Sequence, residues 1–170
     1  MKGYTCRRCG QYHEELPLSY GAEAPVSWFA IPEEQRKRRT VLSSDQCEID
    51  DKYFFIVGSI DIPILGSDQI LRWSVRVSLS KQNYERTCAL WDRPGRETEP
   101  PYFGWLSTSL SPYPDTINLK TMVQTRPVGE RPYVELEPSD HPLAVEQRTG
   151  ITFERVQQIA EAVLHRTLSG

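Results

Sequence analysis

The sequence predicts an α+β fold: an antiparallel sheet of about five strands, helices packed on one face, and an N-terminal CxxC metal knuckle. Three observations predict it. From Leu71 to Leu79 apolar residues alternate strictly with Arg72, Ser74, Arg76 and Ser78, the period of a strand with one face in a core and one in water. From Phe153 to Leu164 the apolar residues fall instead on one helical stripe. Around these, the order strand, strand, helix, strand, strand, strand, helix contains no run of βαβ crossovers and no glycine-rich phosphate loop.

Each element has its own signal. Residues 1–31 are turn-rich, broken by Gly10, Pro17, Gly21 and Pro25, with Pro32 beyond them, and carry the knuckle. Residues 32–170 carry the sheet and helices, and the whole of 1–170 reads as a single domain. Pro32 at a first helical position starts a short helix to Arg39. Tyr53-Phe54-Phe55-Ile56-Val57 is an apolar strand whose continuation is bracketed by Gly58 and Pro63. Ser80 caps a helix to about Trp91, with Tyr84, Cys88 and Trp91 on its apolar side. Tyr102 to Leu110 is a strand interrupted by Gly104, and Ile117 and Leu119 with Met122 or Val123 carry the next. Tyr133 to Glu137 follows the Val128–Arg131 turn, and a short helix over Pro142–Arg148 ends at Gly150. Thr152 caps the last helix, whose stripe is Phe153, Val156, Ile159, Ala160, Val163 and Leu164; His165 and Arg166 suit its C-terminal dipole.

Composition narrows the function. Apolar residues make up 38% of the 170, but 4 Trp, 8 Tyr and 5 Phe supply large buried areas, so the core need not be weak. The net charge of −3 argues against a nucleic-acid binder driven by phosphate neutralisation. The basic cluster Arg36-Lys37-Arg38-Arg39 is explained by a solvated helix with pairs such as Glu34–Arg38. No stretch approaches the ~20 apolar residues of a membrane span, and Met1–Cys6 lacks a signal peptide's apolar core. The expectation is a cytoplasmic protein whose 4 Cys serve as thiols or metal ligands rather than disulfides.

The chemistry is concentrated near the N-terminus. Zinc takes four tetrahedral ligands, and Cys thiolate and His imidazole are its usual donors. Cys6 and Cys9, spaced CxxC with Gly10 to tighten the turn, give one pair. His13 offers a third ligand from the same loop, and Cys47, just before the Tyr53 strand, is the expected fourth; His141 is the substitute for either. CxxC also suits thiol exchange, but that chemistry wants the first Cys at a helix start after a strand, for which the chain leaves no room. Asp140-His141-Pro142 pairs a carboxylate with an imidazole, yet Ser139 or Asp140 as helix cap explains it more simply. Asp45, Glu48, Asp50 and Asp51 around Cys47 read as a turn with solvated carboxylates, and Cys88 as a small buried hydrophobe. Tyr102-Phe103-Gly104-Trp105-Leu106 reads as core packing first; as a ligand groove it would use Tyr102 and Trp105, with His141 nearby.

Several segments together resemble a bacterial family, domain of unknown function 2199. They are Cys6-x-x-Cys9-Gly10-x-x-His13, Asp45–Asp50, Phe54–Gly58 with Ile62-Pro63, Trp73–Leu79, Tyr102–Leu106, Tyr113–Thr116, Arg131-Pro132, Leu136–Ala144 and Gln147–Ile151. The resemblance spans almost the whole chain and implies no activity. It places Cys6, Cys9, His13, Cys47 and His141 at positions matching the family pattern, with Cys88 outside it.

The expected function is a bacterial binding or accessory module stabilised by structural zinc, which meets a protein partner or a small ligand but neither nucleic acid nor membrane. A closed four-ligand site stabilises and does no chemistry. One alternative is a metal-dependent hydrolase whose zinc keeps an open position for water. A second is a thiol redox protein using Cys6 and Cys9. No catalytic residue is assigned.

Overall fold

The computed structural model describes residues 3–165, so Arg166 lies outside the described residues. In chain order the elements are β1 (Tyr4–Thr5), β2 (Tyr12–His13), β3 (Ser19–Tyr20), α1 (Val26–Phe29), α2 (Glu33–Arg39), β4 (Thr40–Leu42) and β5 (Gln46–Ile49). Then come β6 (Tyr53–Pro63), β7 (Ile70–Leu79), α3 (Lys81–Ala89), a 3-10 turn (Arg96–Thr98), β8 (Tyr102–Leu106), β9 (Lys120–Gln124), β10 (Tyr133–Leu136), α4 (Pro142–Thr149) and α5 (Phe153–Leu164).

The mixture of helices and sheet is as expected, but the sheet is not a simple antiparallel layer. Strands β7, β8, β9, β10 and β6 follow one another, and β6 pairs back with β7, closing a five-stranded barrel. Four of the five joints are antiparallel; β10 meets β6 in parallel, with Tyr133 opposite Ser59. Strand β3 adds in parallel to β7, and β5 then β4 add antiparallel beyond β6.

The length of the central hairpin causes the departure. Strands β6 and β7 pair over ten positions, Phe54↔Leu79 to Pro63↔Ile70. Their neighbours are half that length, so each outer edge serves two partners in turn. On β6, β5 covers Tyr53–Ile56 and β10 covers Ser59. On β7, β8 covers Val77–Ser78 and β3 covers Arg72–Trp73. Both faces of β6 are also packed, Phe54, Ile56 and Ile60 in the main core and Phe55 in a second cluster with Ile31, Cys47 and Ile49, so Phe54 to Ile60 are all buried. Closure also demands close approach. A Cβ on Gly58 would lie 2.3 Å from Val134 Cγ2 on β10, and one on Gly104 would lie 2.4 Å from Val77 Cγ1 on β7. The Gly104 conformation therefore serves strand packing and not a ligand groove.

The core runs through Ile60, Leu71, Val77 and Val134 of the barrel to Leu143 of α4 and Ile159 of α5, all at or near zero exposure. Where β10 runs out of strand partner, α4 supplies one. The Gln147 amide donates to Val134 O and accepts from Leu136 N–H, both at 2.8 Å, which satisfies a buried sheet edge.

Local expectations were revised at four places. Pro32 sits at the N-cap of α2, and Arg39 pairs with Asp50 at 2.7 Å rather than Glu34 pairing with Arg38 among the described ion pairs. Helix α3 is capped by Ser80 as expected, but it buries Tyr84 while Cys88 is exposed, with the Gln46 amide donating to its sulfur. The carboxylates beside Cys47 are engaged: Glu48 accepts from the Tyr84 hydroxyl at 2.9 Å and Asp45 meets Arg131 at 3.2 Å. Arg76, on the supposed water face of β7, is 2% exposed because the Glu23 and Ser43 segments cover it; its guanidinium donates to both of their carbonyls.

Candidate metal centre

The knuckle is built by a short hairpin. Tyr4 pairs with His13 and Thr5 with Tyr12, so β1 and β2 deliver the two ends of the Cys6–Gln11 turn to one place. Inside the turn, Cys6 N–H donates to Gln11 O at 2.9 Å and Gly10 N–H to Cys6 O at 2.8 Å. Gly10 has φ of 72°, a left-handed conformation that suits glycine. His13 stacks on Tyr4, ring centroids 5.1 Å apart, which orients its imidazole along the strand pair.

Three donors converge there. The ligand atoms of Cys6, Cys9 and His13 all lie within 4.8 Å of one another, with Cys6 buried, His13 half-buried and Cys9 exposed. Two thiols and one imidazole are a donor set for a borderline-soft cation such as zinc or ferrous iron.

The knuckle rests on α5. Tyr4, Cys6 and Ala160 form a small apolar cluster with Leu16. Glu161, 3% exposed, accepts from the Arg7 backbone N–H and from its guanidinium Nε and Nη2 at 3.0 and 2.9 Å. Burial pushes the Glu161 carboxyl up, but Arg7's side-chain and backbone donors outweigh it and leave the group below the usual carboxylate range. One turn away Gln157 donates to Thr5 O at 3.0 Å, and beyond Glu161 the imidazole of His165 lies 3.2 Å from Cys6 Sγ. The sequence reading gave α5 an apolar stripe and polar residues only for its ends, and missed this second face. The signal was Glu154, Gln157, Glu161 and His165 recurring at helical spacing. The apolar stripe itself is narrower than expected, since Phe153 and Leu164 are exposed.

The remaining candidates lie elsewhere. Cys47 is not brought to the knuckle: it is fully buried on β5 among Ile31, Ile49 and Phe55, and burial pushes its thiol up to about 11. The alternation of β5, which turns Cys47 and Ile49 inward, puts it there. His141 is not brought there either. It is the N-cap of α4, where Nδ1 accepts from Leu143 N–H at 3.1 Å and Nε2 lies 3.1 Å from Asp115 O. The cap thus falls one residue beyond Asp140, and both ring nitrogens are engaged. Tyr102 points into the core and its hydroxyl donates to Glu99, whereas Trp105 lies on the outer face against Phe103. Tyr102, Trp105 and His141 therefore do not line one groove.

A separate cavity of about 530 Å³ is lined by the stacked Tyr20 and Trp73, by Phe29, and by Thr108, Ser109 and Ser111. The Tyr20 hydroxyl and the Trp73 indole N–H are both shielded from solvent, and Trp73 meets Tyr113 edge-on behind the wall.

No described helix is long and apolar enough to cross a membrane. A family model described as an uncharacterized protein conserved in bacteria, DUF2199, matches residues 5–151. Neither the curated proteins nor the solved structures provide a match. With most of its length inside that match, the chain belongs to the DUF2199 family.

Proposed function

We propose that this DUF2199 member is a cytoplasmic binding module whose N-terminal knuckle holds one structural zinc ion through Cys6, Cys9 and His13. The observation that carries the reading is the mutual approach of those three donor atoms within 4.8 Å, on a turn already closed by its own backbone hydrogen bonds. Zinc would bind only where the folded hairpin brings the donors together, so its binding energy would appear as folding energy. What the module binds is proposed to be a small ligand in the Tyr20–Trp73 cavity, whose volume falls within the usual range for such sites. The stacked Tyr20 and Trp73 rings suit a ligand with a flat ring to lie along the aromatic wall.

The competing reactions fit less well. A zinc hydrolase needs a carboxylate or imidazole free to take a proton from metal-bound water. The carboxylate at the knuckle, Glu161, is committed to Arg7. Thiol exchange needs an accessible attacking thiolate and a resolving partner; Cys9 is exposed, but its partner Cys6 is buried with zero exposure.

Plasma mass spectrometry of protein purified without a tag or chelator tests the metal reading. The expected result is one zinc per chain in the wild type and none in Cys9→Ser, with a lower melting temperature for the variant. Metal-free wild-type protein, with Cys9 freely titratable by a thiol reagent, would overturn the reading.

A further inference from the structure

We infer that His165, at the end of α5, is the fourth ligand of the knuckle metal, closing a Cys2His2 site that staples the two ends of the fold together. The inference rests on the metal reading above and goes beyond it by naming the ligand, the geometry and the consequence.

Three observations support it. First, distance: in a tetrahedral zinc site the expected sulfur-to-nitrogen edge is about 3.6 Å, from Zn–S of about 2.3 Å and Zn–N of about 2.0–2.1 Å. The Cys6 Sγ–His165 Nε2 separation of 3.2 Å and the Cys9 Sγ–His13 Nε2 separation of 3.9 Å lie on either side of that value. His165 is not among the three mutually close donors; it meets them at Cys6. Its helix is already docked on the knuckle.

Second, placement. Glu154, Gln157, Glu161 and His165 occupy one face of α5, and each contacts the knuckle: Glu154 and Glu161 through Arg7, Gln157 through Thr5 O, His165 through Cys6. The contacts climb the helix turn by turn, and the turn that reaches the thiol presents the one residue type in the row that ligates zinc through nitrogen. His165 is also the C-cap of α5, its backbone N–H bonded to Glu161 O, so the helix end fixes its position.

Third, chemistry. Cys6 is buried at zero exposure, so a metal bound to it is screened from water on that side. Filling the last position with imidazole leaves no site for a water ligand, which is the coordination of a structural and not a catalytic zinc. The ligand is supplied from beyond residues 5–151 of the family match, by the helix that follows it. In this chain the metal then ties Cys6 to a residue 159 positions away, and docking of α5 becomes metal-dependent.

The test uses full-length protein, with Zn(II) competition titrations and Co(II) spectra of the wild type, His165→Ala and His165→Cys. Loss of an outer-shell partner typically weakens metal binding 10–100-fold, so loss of a true ligand should weaken it by at least ~100-fold. In His165→Ala the Co(II) ligand-field bands should also move, as water replaces imidazole. His165→Cys should bind Co(II) with thiolate charge-transfer intensity raised by about half, as two thiolates become three. Wild-type affinity and spectrum in His165→Ala would overturn the His165 assignment and leave a three-donor site standing. Two-thiolate intensity in His165→Cys would do the same, and this arm decides if the alanine variant fails to fold. No tight binding by the wild type would overturn both readings.

Discussion

Cys9 and Cys47 occupy opposite chemical environments, and substitution separates them. Cys47 is a fully buried side chain among Ile31, Ile49 and Phe55. Removing its sulfur leaves a small void, at a cost on the order of 1–2 kcal/mol. Cys47→Ala should therefore lower the urea midpoint while retaining the metal content of the wild type, whereas Cys9→Ser should lose the metal. With its thiol pushed up to about 11 and no exposure, native Cys47 should also resist alkylation at neutral pH until the protein is unfolded. Loss of metal from Cys47→Ala would return it to the ligand set. This contrast also marks what the sequence could reveal of the site. Cys6, Cys9 and His13 lie within eight residues, where spacing alone dictates proximity, and they were legible. Cys47 was assigned by its nearness to a strand, but the alternation of β5 aims it at a different cluster. Glu161 was not singled out, and His165 was read only as suiting the dipole at the helix end. Their partners lie more than 150 residues away, and only tertiary docking brings them to Arg7 and Cys6.

Barrel closure rests on two strands passing nearly in contact, and that requirement is testable at Gly58. A methyl group there would meet Val134 Cγ2 at 2.3 Å and Pro132 O at 3.1 Å, at the one parallel joint of the barrel. Overpacking of this kind typically costs about 1–3 kcal/mol, so Gly58→Ala should unfold at clearly lower denaturant. Adding Val134→Ala removes the side chain that is struck. The double variant should then lose less than the sum of the two single losses, a coupling read from a double-mutant cycle. Strict additivity would mean that the joint relaxes without contact. The same joint explains which elements the sequence revealed. Strands β6 and β7, helix α3 with its Ser80 cap and helix α5 with its Thr152 cap were legible from local periodicity and capping chemistry. Closure was not, because β10 finds β6 through a single pairing between residues 74 apart in sequence. The unbroken apolar run of Phe54–Val57 was the available clue, since a strand with one wet face has no reason to bury both sides.

Across the whole molecule, carboxylates held by arginines at separate places in the fold titrate in acid, so stability should fall in one direction with pH. The Asp50, Glu99 and Glu161 carboxyls all lie below their ordinary values. Asp50 is held down by Arg39, and Glu99 to about 2 by Arg86 and then Tyr102; Glu161 is raised by burial but lowered further by Arg7. A depressed folded value means that the folded chain binds fewer protons, so the stabilisation is complete above the unfolded value and disappears as pH falls through the folded one. For the two glutamates the window opens near 4.5 and extends downward, reaching about 2 for Glu99. The Arg39–Asp50 pair is partly exposed and Arg86 is exposed, so salt should screen much of the Asp50 and Glu99 contributions. Glu161 is 3% exposed while its partner Arg7 is half-exposed, so its contribution should be screened less than theirs. Glu161→Gln should therefore be less stable than the wild type at pH 7, with the gap closing as pH drops below about 4.5 in metal-free, high-salt buffer. Urea unfolding followed by circular dichroism at each pH measures it, and a gap that stays constant down to pH of about 2 would assign the loss to packing rather than charge. Repeating the series with zinc adds a steeper acid limb, because protons compete for thiolate and imidazole ligands. If α5 is a ligand-bearing arm of the knuckle, that limb should depend on His165 as well as on Cys9, and the acid step should release the helix and the metal together.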